Sequence, residues 1–278
     1  MGLCMISVHG EKPSPTFKAG IFLALFIGGI TLLSFFYLPY DYNEMDSARR
    51  FTPPGIPHLM GTDNFGRDVF SRIMAGARFT LLTALVTVAG SAAAGSALGM
   101  LSGYAGGIWD EINMRIMDTL SSFPGILLAL VMVSLFGNSH VTLIIALFIL
   151  FIPGFNRIMR NGMLRYKNRD FVLAARTAGV SNIRIIFVHI FPNLVPSLLS
   201  ASVLGLSNAI LAESTMSYLG LGIQPPVPSW GRMLSESQHF LFNAPWSAIS
   251  PGLMIMLTVL AFHYLGEGLK DRASQETG

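Results

Sequence analysis

The sequence is short of charge and nearly empty of cysteine. Of its 278 residues, Asp, Glu, Lys and Arg make up only 12%, about half the share in an ordinary soluble domain. Hydrophobic residues reach 52% and the mean hydropathy is +0.57. So many apolar residues with so few charges need lipid as a solvent, so the chain reads as an integral membrane protein. A single cysteine, Cys4, excludes an internal disulfide framework. The four lysines (Lys12, Lys18, Lys167, Lys270) never follow a glycine, which excludes a P-loop for ATP, since that loop ends in Gly-Lys-Ser/Thr. H-E-x-x-H and G-x-S-x-G are also missing, which removes two familiar hydrolase chemistries. Gly137-Asn138-Ser139-His140 has no second histidine suitably placed for intramembrane proteolysis. His140, His189 and His239 are isolated in the sequence, and nothing assembles them into a metal site.

What is present is a series of apolar runs, each near the roughly 20 residues that cross a bilayer. They cover 19–38, 79–104, 116–136, 141–155, 194–221 and 247–265. The first is too long for a signal-peptide core and runs into Leu38-Pro39-Tyr40 rather than a small-residue cleavage site, so it reads as a retained span. Pro124 is expected to kink the third. In the second, Ser91, Gly95, Gly99 and Gly103 recur every four residues, and in the fifth Ser197, Ala201, Gly205 and Ala209 do so, ending at Glu213. Small residues at this spacing let a neighbouring helix come close.

The polar segments set the expected orientation. Between Arg157 and Arg184, Arg157, Arg160, Arg165, Lys167, Arg169, Arg176 and Arg184 face Asp170 alone, which predicts a cytoplasmic loop. Six spans then put both termini in the cytoplasm. The expected organisation is a cytoplasmic segment at 1–18, a first transmembrane helix at 19–38 and an extracytoplasmic segment at 39–77. A five-helix core follows at 78–267, with a cytoplasmic coupling loop at 157–193, and then a cytoplasmic tail at 268–278. Within 39–77 the charges balance, and Pro53, Pro54 and Pro57 keep the chain extended. Val69, Phe70, Ile73, Met74 and Ala77 share one helical stripe, so 67–77 is expected to lie as an amphipathic helix at the membrane surface. Trp230 and Trp246 stand where interfacial anchors are found.

The loop at 168–193 carries the most local information. Phe171, Val172, Ala174, Ala175 and Ala178 recur at helical spacing. Gly179 stops that helix, Ser181 is placed to cap a second short one over 182–190, and Pro192 is expected to mark the passage back to the membrane. The residues alone allow two readings of this elbow: a basic loop, or a docking surface for a partner protein. Among intramembrane ionisable groups, Glu213 is the candidate for a translocation path, with Asn208 on the same helix; the alternative is a structural hydrogen bond to a neighbouring helix. Asp118 reads as an interface marker and His263 as a helix–helix hydrogen bond. A secondary transporter working without an ATPase remains an alternative on these grounds, with Glu213 its only support.

The elbow resembles the EAA loop of ABC importer permeases, through Ala174-Ala175, Gly179 and His189-Ile190-Phe191-Pro192, with Leu173, His189 and Phe191 departing from the usual Glu, Ile and Leu. Further segments are similar, in order, to the second permease subunit of peptide and nickel ABC importers. They are Gly61-Thr62-Asp63-Asn64-Phe65-Gly66-Arg67-Asp68-Val69-Phe70-Ser71-Arg72, Met114-Arg115-Ile116-Met117-Asp118 with Phe123-Pro124-Gly125, Ser217-Tyr218-Leu219-Gly220-Leu221-Gly222, Pro228-Ser229-Trp230-Gly231 and Gly266-Glu267-Gly268-Leu269-Lys270-Asp271. The resemblance implies an all-α permease of the type I importer kind with six transmembrane helices, in the bacterial inner membrane. It implies a homologous permease partner, two cytoplasmic ATPase subunits that bind the ATP and Mg, an extracytoplasmic substrate-binding protein, and no catalysis, cofactor or nucleic acid on this chain. The ATPase-coupling residues it implies are Leu173, Ala174, Ala175, Arg176 and Gly179. The cargo it implies is di- or oligopeptides, or nickel or a nickel chelate, and no residue decides between them.

Overall fold

In a computed structural model, which describes residues 14–275, the protein is a bundle of long helices with its irregular segments gathered at one end. The main elements are α1 (Pro15–Phe36), α2 (Val69–Ala105), α3 (Gly107–Ser122), α4 (Gly125–Phe136), α5 (His140–Tyr166), α6 (Asp170–Thr177), α7 (Asn182–Tyr218), α8 (Trp230–Ser237) and α9 (Trp246–Gln275). Five of them are long and apolar enough to cross a membrane, and α3 with α4 adds a sixth crossing if the bent pair counts as one span. The expected cytoplasmic segment 1–18 lies mostly outside the described residues, and the expected tail from 268 is helical as far as Gln275.

The bundle is assembled around a contact between α2 and α5. The Ser91 hydroxyl donates to the Phe148 carbonyl at 2.9 Å. A side chain at Gly95, Gly99 or Gly103 would run into the α5 backbone at Ile152, Asn156 and Arg160 respectively. Both series step by four in the same direction, so α2 and α5 run parallel, and the small-residue stripe does what its spacing predicts. Parallel helices require the chain between them to return to its starting end, and α3 and α4 make that return. The span expected over 116–136 is bent far more sharply than a kink: the chain turns by 89° at Phe123-Pro124, and its first arm begins earlier, at Gly107. Proline disfavours helical geometry in the residue before it, and Phe123 is extended. The twelve residues of α4 span only about 18 Å.

Two other helices are longer than the sequence suggests. At 37 residues each, α2 and α7 measure about 55 Å against an apolar bilayer core of about 30 Å. The extra length of α2 is the stripe at 67–77, which does not lie on a membrane surface. Asp68 caps the helix by accepting from the Ser71 amide at 2.7 Å, and Val69, Ile73 and Met74 are buried, the first two packed with Trp230 and Met233. Trp230 is likewise not an interfacial anchor: it is 0% exposed and donates from Nε1 to the Ile73 carbonyl. The extra length of α7 is the second arm of the elbow. Pro192 does not interrupt it, because the turns at Ile185–Ile190 widen and so absorb the missing amide. The stripe on α7 is buried only in part. Gly205, Ala209 and Glu213 are buried while Ser197 is exposed, because a step of four residues drifts about 40° around a helix each time.

Candidate functional site

The elbow is built from α6, the turn after it and the first turns of α7. Asp170 opens α6, where a negative charge suits the helix dipole. The helix ends in a paired cap: the Gly179 amide donates to the Arg176 carbonyl at 3.0 Å and the Val180 amide to the Ala175 carbonyl at 3.1 Å. That closure needs a left-handed residue, and Gly179 supplies φ +75°. Ser181 makes no side-chain cap to α7, contrary to expectation; its carbonyl accepts from Ile185 instead.

One face of the elbow is sealed into the bundle. Val172 and Ala175 pack with Met159 and Met163 of α5 and with Ile185, Ile186 and Ile190 of α7. Two cations tie it to the end of α2: Lys167 donates to the Gly103 carbonyl at 2.9 Å, and the Arg176 guanidinium sits 5.3 Å over the Tyr104 ring. The opposite face is open. Leu173 is 44% exposed, Ile183 72%, Phe187 53% and Val188 58%, and Phe171 and Ala174 are exposed beside them. The expected coupling residues therefore divide by role: Leu173 and Ala174 are presented outward, Ala175 is packed inward, Arg176 is tied down on Tyr104 and Gly179 shapes the turn.

Glu213 faces the bundle interior but is 0% exposed. Its carboxylate accepts from Ser217 at 2.7 Å and from Ser214 at 3.4 Å. In this conformation it is closed off from every surface of the chain and held by these hydrogen bonds. Asn208, on the same helix, is exposed. Asp118 is exposed and pairs with Arg157 at 2.7 Å. His263 does not bridge two helices; it reaches Glu267 on its own α9 at 3.4 Å. His140 does link helices, with Nε2 2.6 Å from the Thr83 hydroxyl of α2.

At the other end of the bundle the structure shows a buried ion-pair network that the sequence does not announce. Arg67 donates to Asp63 at 2.7 Å and to Glu236 at 2.9 Å, and Arg72 donates to Glu236 at 3.0 Å. Arg232 reaches the second oxygen of Glu236 at 3.2 Å. His58 and Asp68, both buried, lie 2.9 Å apart. Glu236 is separated from Arg67 and Arg72 by 169 and 164 residues, so no local pattern reveals those pairings. The motif around Arg67 and Arg72 is therefore a joint between the 39–68 segment, the start of α2 and α8. Trp246 adds to it by donating to the Thr62 carbonyl at 3.1 Å.

Comparison with known proteins agrees with this architecture. Residues 95–275 match the family described as the binding-protein-dependent transport system inner membrane component. The dipeptide transport system permease protein DppC of Alkalihalophilus pseudofirmus is 41% identical over 83% of this chain and 76% of its own length. DppC of Haemophilus influenzae is 38% identical over 91% of this chain and 88% of its own length. The glutathione transport system permease protein GsiD of Pectobacterium atrosepticum is 40% identical over 91% and 84%. A solved structure of the MetNI methionine ABC transporter in inward-facing conformations shares the fold, with a TM-score of 0.58 at 19% identity over 73% of this chain and 94% of that one. The chain thus belongs to the binding-protein-dependent transport system inner membrane component family, as a multi-pass inner-membrane permease subunit of an ABC importer.

Proposed function

We propose that this permease forms, with a homologous second permease, the membrane path for small peptides, and that ATP hydrolysis reaches it through the elbow. Two cytoplasmic ATPase subunits hold the ATP and Mg, an extracytoplasmic binding protein delivers the cargo, and this chain contributes no catalytic group or cofactor. The observation that carries the reading is the two-sided elbow. Val172 and Ala175 are locked into the ends of the long helices, while Leu173, Ile183, Phe187 and Val188 stand in the open. An apolar patch on a stiff, capped helix at the basic end of the chain fits a groove on a cytoplasmic protein. It would also pass motion on without bending. This orientation puts both termini in the cytoplasm.

The cargo assignment rests on the relatives, whose names specify dipeptides and glutathione, itself a tripeptide. The test is uptake by cells lacking this chain and complemented with it, using a labelled dipeptide, labelled glutathione and labelled nickel in parallel. Restored uptake of a peptide alone is expected. Restored uptake of nickel alone would move the cargo to the metal branch and leave the coupling reading intact. For coupling, Ile183→Glu, on the same open face, should abolish co-purification of the ATPase while leaving membrane insertion unchanged; normal ATPase binding by that variant would overturn it.

A further inference from the structure

Helix α3 is held differently from every other long helix. Of its sixteen residues only Met117 is buried, and its large apolar side chains Ile108, Trp109, Ile112 and Ile116 point away from the rest of the chain. Its attachments are polar instead, and they go mainly to α5. Arg160 makes a two-pronged contact with Asp110, with both bonds at 2.5 Å. Asn113 donates to Asn156 at 3.1 Å and to Ser102 of α2 at 2.9 Å. Arg157 reaches Asp118 at 2.7 Å and Ser121 at 3.2 Å. The arm is jointed at both ends: Gly106 and Gly107 both have positive φ, 70° and 58°, and the 89° turn follows at Phe123-Pro124. Its partners Arg157 and Arg160 lie on the same helix that ends, at Tyr166 and Lys167, in the elbow.

We infer that Arg160, supported by Asn156 and Arg157, is a positioning residue for transport: it latches α3 against α5 in this conformation, and its release lets α3 swing between its two joints as the elbow moves. A helix seated by apolar burial would resist such a swing, because its core contacts would have to be exposed. Arg160 and Asp110 keep 22% and 15% of their side chains exposed, and Arg157 and Asp118 43% and 62%, so water can take over their hydrogen bonds on separation at less cost than an apolar core would pay. Strong geometry then gives a defined closed position without making it permanent. The inference rests on the coupling reading of the elbow and adds to it the element that motion reaches.

Met117 gives a direct test, since it is the side chain α3 covers. In the assembled importer, with Cys4→Ser and cysteine-free partner subunits, Met117→Cys is treated with a maleimide and its reaction rate followed. The closed arm should react slowly. Adding Arg160→Ala should raise the rate about tenfold, equivalent to about 1.4 kcal/mol, and trapping the ATPases with ATP and vanadate should raise it in the unaltered latch. Exchanging the pair as Asp110→Arg with Arg160→Asp should return the slow rate, which a general loosening of the fold would not do. Equal rates with and without Arg160→Ala, or no rescue by the exchange, would overturn the latch. In parallel, Leu173→Cys should be shielded from maleimide by the bound ATPase. A Leu173→Cys that stays reactive counts against the coupling reading alone, whereas a shielded one with an unresponsive Met117→Cys counts against the latch alone.

Discussion

The two ends of this bundle solve the problem of polar groups in opposite ways. At the end formed by the 39–68 segment and α8, charge is buried and paired inside the chain: Arg67 and Arg72 are 4% and 3% exposed as side chains, and both meet Glu236. At the elbow end, charged side chains lie near the surface, and large apolar groups such as Ile183 and Phe187 are left uncovered. The first end ties its charges together within the chain, although Ile56 and Phe242 stand open on it as well. The second has its inner face finished and its outer face unsatisfied, the pattern of a surface made for another protein.

Substitutions should separate the ends by size of effect. The largest should come from the shared spine. Gly99→Val places its side chain against the Asn156 backbone, so α2 and α5 should fail to pair, and the variant should be lost from the membrane fraction in a pulse-chase. Next is Glu236→Ala, which removes a carboxylate shared by two buried arginines and leaves Asp63 alone to both. Breaking a buried pair in this way costs about 3–5 kcal/mol, visible as a lowered Tm of the detergent-solubilised protein. Glu213→Gln should cost about 1 kcal/mol, because an amide keeps an acceptor for Ser217; stability and uptake should fall together, whereas a loss of uptake alone would place Glu213 on the path. Smallest in stability is Ile183→Glu, within about 0.5 kcal/mol as for other exposed positions, although ATPase binding should be lost. A stability loss at Ile183 as large as at Glu236 would erase the contrast between the ends.

Much of this was legible in the sequence, for identifiable reasons. Hydrophobic runs and small-residue spacing are local signals, so the spans and the seam at Ser91, Gly95, Gly99 and Gly103 could be read directly. The turn at Gly179 was equally local. What escaped was set by distant partners. The stripe at 67–77 looks amphipathic because the chain that covers its apolar side, Trp230 and Met233, lies some 160 residues on. Glu236 carries no motif of its own, and Pro192 looked like a break because widened turns have no sequence signature. For Glu213 the sequence left a path and a structural hydrogen bond both open, because nothing in its vicinity announces that Ser214 and Ser217 are buried with it.

The unbroken run of α7 has a consequence for mechanics. It begins within the elbow at Asn182 and ends at Tyr218, just past Glu213, helical throughout although its turns widen at Ile185–Ile190. A stiff rod about 55 Å long that tilts by about 10° about its middle carries each tip about 5 Å, in opposite directions. A push delivered at one face of the membrane would therefore arrive at the other as a displacement of equal size and reversed sense. Opening at one end and closing at the other become a single movement, as in a see-saw, with no separate signal needed to keep them from occurring together.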